Sequence, residues 1–236
     1  MKSVTNKKLL LNEYTKLEDG TKIDSEIISL FATPVMKASL NRDFTESELQ
    51  FLFYNIPMIK DNQGQKMTNH QSKDSYLFDS HADTLKDIKS FCESQIKNYL
   101  EEVEGVDTDL AGLRITQSWL NKTKPSEHHP SHYHTNSYLA GVLYISCLQN
   151  DSINFENRIQ GMFNYIEFPK KKITDWTTET ASIDVKEGDL ILFPAWMIHG
   201  VSPNNTKNRE RISLAFNTFP IGEMGNNITA VDHLKL

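Results

Sequence analysis

Four of the chain's eight histidines fall within seven residues, in the run Glu127-His128-His129-Pro130-Ser131-His132-Tyr133-His134. A fifth, His199, follows His134 by 65 residues, in Phe193-Pro194-Ala195-Trp196-Met197-Ile198-His199-Gly200-Val201. Neutral imidazole is the commonest protein metal ligand. His132 and His134 share one face if their segment is extended, because strand side chains alternate. A close pair of ligands and one distant histidine is how a metal is clamped between two strands of one β-domain. The pattern therefore constrains the fold as well as the chemistry. With Arg209 and Arg211 downstream, it points to a mononuclear metal site, iron favoured, beside a cationic pocket for a carboxylate cosubstrate.

At 236 residues the chain can form one large domain, or a domain with an extension. A core of that size needs no disulfide. Hydrophobic residues make up 38% and charged residues 24%, the balance of a soluble globular protein. A net charge of −6 argues against a nucleic-acid protein held by a broad basic surface. Cys92 and Cys147 lie far apart without a CxxC. That fits a reducing, cytoplasmic setting and excludes a cysteine-based zinc finger. No apolar run of about 18 residues occurs, so no membrane span is expected. Leu9 to Leu11 is too short for the apolar region of a signal peptide.

The front of the chain reads as a helical extension. Residues 1–30 are polar and irregular. Phe31 to Ala38 reads as an edge strand, because Pro34 interrupts it. Thr45-Glu46-Ser47-Glu48 is a capping box opening a helix that ends before Pro57. Residues 60–75 read as a polar loop. Leu85, Ile88, Phe91, Cys92, Ile96, Tyr99 and Leu100 recur at three and four, giving an amphipathic helix to about Gly105.

After Gly105 the pattern becomes short β-like runs: Leu113 to Leu120, Tyr138 to Leu148, Ile153 to Phe155, Ile183 to Val185, Asp189 to Phe193 and Arg211 to Phe219. Turn signals such as Glu187-Gly188-Asp189 separate them. The expected fold is mainly β, a sandwich or jelly roll with N-terminal helices packed outside the sheet. The expected division is an extension over 1–110, a β-core over 111–220 and a tail over 221–236. Lys170 to Thr180 reads as a loop at one mouth of the sandwich.

Within this frame His132, His134 and His199 are the candidate ligands. His128 and His129 precede Pro130 and read as solvated loop residues. Spacing alone does not choose among iron, zinc, copper and nickel. Alternation in the last strand puts Arg211, Ser213, Ala215 and Asn217 on one face, with Ile212, Leu214 and Phe216 on the other. The second face is plain core. On the first, an arginine fork can bind a carboxylate bidentately and a serine hydroxyl can add a bond. Surface ion pairing is the competing role for Arg211 and the preferred one for Arg209.

Trp119-Leu120-Asn121, His132-Tyr133-His134 with Thr135 to Tyr144, Gly188 to Trp196, His199, Arg211-Ile212-Ser213 and Phe216-Asn217 together resemble the 2-oxoglutarate/Fe(II)-dependent oxygenases related to prolyl 4-hydroxylases. Phe31 to Val35 resembles that family's first strand. The likeness is good over roughly residues 113–219. It implies a double-stranded β-helix, which is a jelly roll. It implies Fe(II) on His132, His134 and His199, and 2-oxoglutarate on the metal with its distal carboxylate on Arg211, Ser213 and Tyr144. The reaction implied is a hydroxylation coupling decarboxylation of 2-oxoglutarate to oxidation of a substrate by O₂. Trp119, Asn121 and Trp196 are candidates for the substrate side, with core packing the competing role for the tryptophans. The wider superfamily carries Asp or Glu where this chain has His134. Ligation by His134, by a water or anion, or by Glu127 are the three ways to fill that place, and His134 is favoured.

Two other readings fit the same residues. One is a cupin-like three-histidine metalloenzyme that uses no 2-oxoglutarate. The other is a non-enzymatic jelly roll for binding or structure. Fold alone does not choose between them. A protein side chain, a nucleotide and a small molecule all remain open as substrate, and oligomeric state is not legible.

Overall fold

The computed structural model describes residues 32–60, 69–157, 168–174 and 177–225, together with the backbone of three two-residue strands, β1 (Leu9–Leu10), β2 (Glu26–Ile27) and one near the C-terminus. The chain divides by packing into two compact units, Met1–Pro34 and Val35–Leu236. In the first, β1 pairs antiparallel with β2. The second unit carries the histidines. Phe31, and with it the start of the strand expected over Phe31–Ala38, lies outside the described residues, as does part of the Lys170–Thr180 loop.

Two antiparallel sheets build this second unit. Its strands are β3 (Met36–Ser39), β4 (Met58–Lys60), β5 (His70–Ser72), β6 (Ala111–Thr123), β7 (His129–His132), β8 (Leu139–Ser146), β9 (Ser152–Glu156), β10 (Thr180–Asp184), β11 (Asp189–Pro194), β12 (Ile198–Val201), β13 (Arg211–Met224) and β14 (Leu234–Lys235). The larger sheet runs β3-β11-β8-β13-β6-β5-β4, with β14 on β13, and the smaller runs β10-β9-β12-β7. From β6 to β13 the chain enters the two sheets in the order large, small, large, small, small, large, small, large. That is the double-stranded β-helix expected from the sequence. As Pro34 foretold, β3 is an edge strand, paired with β11.

Alternation along the strands divides the apolar residues into two cores. Ile212, Leu214 and Phe216 face the helices, packed with Leu120, Leu143, Leu85, Ile88, Cys92 and Ile96. Tyr144, Ile153, Phe155, Ile191 and Phe193 fill the space between the sheets. The helices come where periodicity put them. Thr45 caps α1 (Glu46–Gln50) in a capping box, its hydroxyl accepting from Glu48 N and its own N–H donating to the Glu48 carboxylate. A π-turn, Phe51–Asn55, carries that helix on towards Pro57. After α2 (Leu77–Ser80), α3 (Ala82–Tyr99) ends in a second π-turn, Leu100–Glu104, closed by Gly105 in the left-handed region at φ 68°, where glycine meets no Cβ penalty.

Two details depart from the sequence reading. The stretch read as a polar loop contains β5, which pairs through His70 and Gln71 with Lys122 and Asn121 of β6. Its residues are polar on both sides, so alternation gave no signal. The other is that the extended segment expected to carry both His132 and His134 ends between them. β7 stops at His132, and Asn136 at φ 54° turns the chain from the small sheet to the large one before β8.

Gly141 marks where the helix-side core is tightest. It sits opposite Phe216 across the β8–β13 pair, and an added Cβ would lie 2.1 Å from the Phe216 ring. Because overpacking of this kind typically costs about 1–3 kcal/mol, Gly141→Ala is expected to lower the unfolding free energy by that amount in chemical denaturation. An unchanged midpoint would mean that Phe216 moves aside freely.

Candidate metal centre

Strand pairing brings the distant histidines together. His199 on β12 is the direct cross-strand partner of His132 on β7, with Phe155 of β9 on its other side. His134 lies two residues beyond β7 and is held to the turn between β11 and β12 by its backbone N–H, which donates to the Ala195 carbonyl at 2.9 Å. Ligating nitrogens of His132, His134 and His199 all lie within 4.8 Å of one another. The Nε2 atoms of His132 and His134 are 3.2 Å apart. Nitrogens sit about 3 Å apart when bonds of about 2.1 Å meet near a right angle at a metal.

Hydrogen bonds on the far side of each ring fix its tautomer. Nδ1–H of His132 donates to the Pro130 carbonyl and that of His199 to the Met197 carbonyl, both at 2.9 Å. Nδ1–H of His134 donates to the Asn217 amide oxygen, and Asn217 Nδ2 donates in turn to Gln117 Oε1 at 3.2 Å. A carbonyl oxygen only accepts, so each Nδ1 carries the proton and each Nε2 presents a lone pair. Three lone pairs thus converge. Such carbonyl partners are what orients metal-bound histidines.

Burial, reinforced by the neighbouring imidazoles, holds these rings below the usual histidine range. His199 falls to about 2 and His134 to about 4, the latter despite its bond to Asn217, while burial lowers His132 in the same direction. The rings are neutral, as ligation requires. His129 is no solvated loop residue. It opens β7, stacks on His132 with ring centroids 4.3 Å apart, and is lowered to about 3 by burial and its neighbours. Sequence gave no sign of this, because Pro130 suggested an irregular lead-in.

Two spaces meet at the histidines. The inner one lies between the sheets, lined by the three rings with Asn121, Val142, Tyr144, Ile153, Ser213 and Ala215. Its volume of ≈ 30 Å³ has room for two or three water-sized groups, the size of one carboxylate. Its large-sheet wall is a set of rungs: Asn121, Ser213 and Tyr144 in one, and Trp119, Ala215 and Val142 in the next. The outer space is a cleft of ≈ 430 Å³ whose walls include Gln71, Ser75, Gln117, Trp119, Tyr133 and Thr135. Trp119 borders both and packs against His134, with ring centroids 5.7 Å apart. Trp196 is 57% exposed on the turn after β11 and lines neither space.

The remaining candidates separate cleanly. Glu127 is not among the converging ligands: its carboxylate accepts from Lys124 N at 2.8 Å and pairs with His70 Nδ1 at 3.2 Å. Arg209 is exposed and donates to the Cys147 carbonyl. Arg211 is buried, not a surface pair. Its Nε and Nη2 grip the Asp151 carboxylate at 2.6–2.9 Å and Nη1 donates to the Ser202 carbonyl. On the large-sheet wall of the inner space, the buried Tyr144 hydroxyl finds no hydrogen-bond partner among the described residues. A buried hydroxyl without a partner is costly, and here it borders the inner space beside Ser213.

Residues 117–217, which hold the three histidines, Arg211, Ser213 and Asn217, match the model of a family described as putative 2OG-Fe(II) oxygenase. The match takes in β7 to β12 whole, with the site-bearing parts of β6 and β13. Fe(II) and 2-oxoglutarate, the cofactors expected from the sequence, are the ones the family's name carries. The fold agrees with solved structures. The non-heme alpha-ketoglutarate-dependent epimerase SnoN from nogalamycin biosynthesis superposes with a TM-score of 0.55 at 11% identity, over 86% of this chain and 89% of that one. HygX from Streptomyces hygroscopicus, solved with nickel and 2-oxoglutarate bound, gives 0.50 at 13% identity, over 86% and 93%. No curated protein matches the chain. The residues fit the two groups that the family's name carries: three convergent imidazole nitrogens suit the metal, and the Tyr144 hydroxyl, orphaned among the described residues, with Ser213 beside it suits a carboxylate, while Arg211 is not among the residues that line the inner space.

Two outcomes follow. Asn217→Ala removes the acceptor that orients His134, and such losses lower metal affinity about 10–100-fold. Anaerobic calorimetry with Fe(II) is expected to read that drop, while His134→Ala weakens binding further. The second concerns the apoprotein. The unfolded imidazole titrates near 6.5, above the folded values of about 4 and about 2, so below pH 6.5 the unfolded chain binds more protons. The stability these rings contribute is complete above about pH 6.5 and is lost as pH falls toward about 4 and then about 2. Denaturation of metal-free protein is expected to show this decline, and less of it in His199→Phe.

Proposed function

We propose that this chain is an Fe(II)- and 2-oxoglutarate-dependent hydroxylase. His132, His134 and His199 hold the iron, and Arg211, Ser213 and Tyr144 receive the distal carboxylate of 2-oxoglutarate. The observation that carries the reading is the set of three Nδ1–H bonds to carbonyl oxygens, which aims three Nε2 lone pairs at one point. A structural histidine cluster would gain nothing from this arrangement. Glu127 has other partners, which supports His134 as the third ligand. When bound, the iron and 2-oxoglutarate supply the oxidising chemistry, with O₂ as oxidant and succinate and CO₂ as by-products.

The chain's own residues bind, orient and exclude water. Tyr144 Oη gains the partner it lacks when a carboxylate enters the inner space, and Ser213 on the same rung adds a second hydroxyl. Among the described residues, three of the five N–H groups of Arg211 are engaged by Asp151 and Ser202, which leaves two. Phe155, Phe193 and Ile153 close the space from behind. Substrate approaches through the outer cleft, past Trp119. Asn121 lines the inner space and is assigned to the cosubstrate side rather than to substrate.

The cupin-like alternative needs no carboxylate pocket, and the small inner space, with a hydroxyl in its wall that has no partner among the described residues, supports the reading with one. The non-enzymatic alternative needs no convergence of ligands. Anaerobic titration of Fe(II)-loaded protein with 2-oxoglutarate is the deciding experiment, through the weak visible charge-transfer band of the chelate. His199→Ala is expected to abolish iron binding. Arg211→Ala is expected to keep iron and lose roughly ten- to hundred-fold in 2-oxoglutarate affinity, the worth of a charge-assisted hydrogen bond. Arg211→Lys should recover only part, because an ammonium cannot reproduce the fork. Iron binding without a 2-oxoglutarate-dependent band would favour the cupin-like reading.

A further inference from the structure

Asp151 is buried, 4% exposed, at the turn between β8 and β9. Its carboxylate is held from two sides. The backbone N–H groups of Leu148 and Ser152 donate to it at 3.2 Å, and Arg211 grips it through Nε and Nη2. Nothing in the sequence singles it out, since Gln149-Asn150-Asp151-Ser152 reads as an ordinary turn. Arg211 itself is 4% exposed, so the pair stands out of water, where an unmatched charge is expensive. Both charges act on the Tyr144 hydroxyl in the wall of the inner space, Asp151 and Arg211 in opposite directions.

The position of this negative charge matters because of what the metal site lacks. In the two-histidine-one-carboxylate arrangement the ligand set itself carries one negative charge. Here the three convergent ligands are neutral imidazoles. A divalent metal with Arg211 alone would set three positive charges against the two negative charges of 2-oxoglutarate. With Asp151 included, the buried charges match. We propose that Asp151 restores the negative charge that His134 leaves out of the ligand set: clamped to Arg211, it orients the guanidinium and tunes the pocket to a doubly charged oxoacid. This inference rests on the function proposed above. Asp151 is a positioning residue, acting on the cosubstrate through Arg211 and through the field.

The test is a double-mutant cycle on the full chain, loaded anaerobically with Fe(II). The 2-oxoglutarate affinity is read by calorimetry and by the charge-transfer band. His134→Asp adds a second buried negative charge. It is expected to retain iron and to bind 2-oxoglutarate at least about tenfold more weakly, the order of effect of one nearby charge in a partly buried site. In the Asp151→Asn background the same His134→Asp change should restore affinity to within about threefold of wild type. A penalty of equal size in both backgrounds would overturn the proposal, since a merely structural Asp151 would not couple to position 134.

If Asp151→Asn does not fold, wild type and His134→Asp test the charge balance on which the proposal stands. 2-Oxopentanoate has the same carbon chain but a single negative charge. The preference for 2-oxoglutarate over 2-oxopentanoate should fall about tenfold in His134→Asp, and an unchanged preference overturns the charge assignment. Wild-type protein that takes up iron but fails to bind 2-oxoglutarate overturns the functional reading, and this one with it. The other adverse outcomes remove only the role of Asp151.

Discussion

The antiparallel pairing of β12 with β7 is the constraint on which the site depends. It sets His199 directly across from His132, and everything else at the centre is arranged around that contact. A register slip of one residue would send the facing side chains to the other side of the sheet. The pair is fixed from behind by Phe155, opposite His199 on β9 and packed edge-on against Phe193. It is fixed at the backbone by Gly200, where a Cβ would come within 3.0–3.2 Å of the β7 main chain. His134 does not share this support. It lies past the end of β7 and depends on Ala195 for its backbone and on Asn217 for its ring, so the third ligand is held by the large sheet and the first two by the small one.

β13 ties these supports to the stability of the fold. Its even residues, Ile212, Leu214 and Phe216, belong to the core under the helices. Its odd residues face the other way: Arg211 pairs with Asp151, Ser213 and Ala215 line the inner space, and Asn217 accepts from the His134 ring. Because side chains alternate with period two, a single strand both seals one core and furnishes the other side with polar groups. The same strand pairs with β6 and β8 on its two edges, which is why Trp119, Asn121, Val142 and Tyr144 fall into rungs with it. The two-layer core therefore supplies the rigidity that a site of this kind needs.

Much of this was legible in the sequence, and the reasons are local. The period-two row from Arg211 to Asn217 and the three-four spacing from Leu85 to Tyr99 both report burial of one face, so they gave the correct strand and helix. His132, His134 and His199 were legible because metal ligation leaves few alternatives for histidines in that order. What stayed hidden depends on pairing across the chain. β5 is polar, so its place beside β6 has no periodic signal. His129 gains its role only by stacking on His132. Gln117 could have been found by stepping back two residues from Trp119 along one face. Asp151 could not, since only the fold brings it 60 residues in sequence to Arg211.

The three histidines stand between two physically different spaces. On the inner side the wall carries, beside the imidazoles, the Tyr144 hydroxyl, Ser213 and Asn121, with the charges of Arg211 and its counter-ion Asp151 acting on Tyr144. The space is small and enclosed, so an anion entering it sheds water and is selected by charge and size. On the outer side the cleft walls are amides, hydroxyls, imidazoles and an indole, with no lysine, arginine, aspartate or glutamate among the described residues that line them. Groups of that kind select by hydrogen-bond pattern and by apolar contact, and they do so in a partly wet environment where each bond is worth only about 1 kcal/mol. Trp119 stands at the boundary against His134 and belongs to both walls. A change there would disturb the metal ligand and both recognition surfaces together, whereas changes at Gln71 or Thr135 touch the outer wall alone. Beyond Trp119 the two spaces share only the rings of His129, His132 and His134 among the described residues.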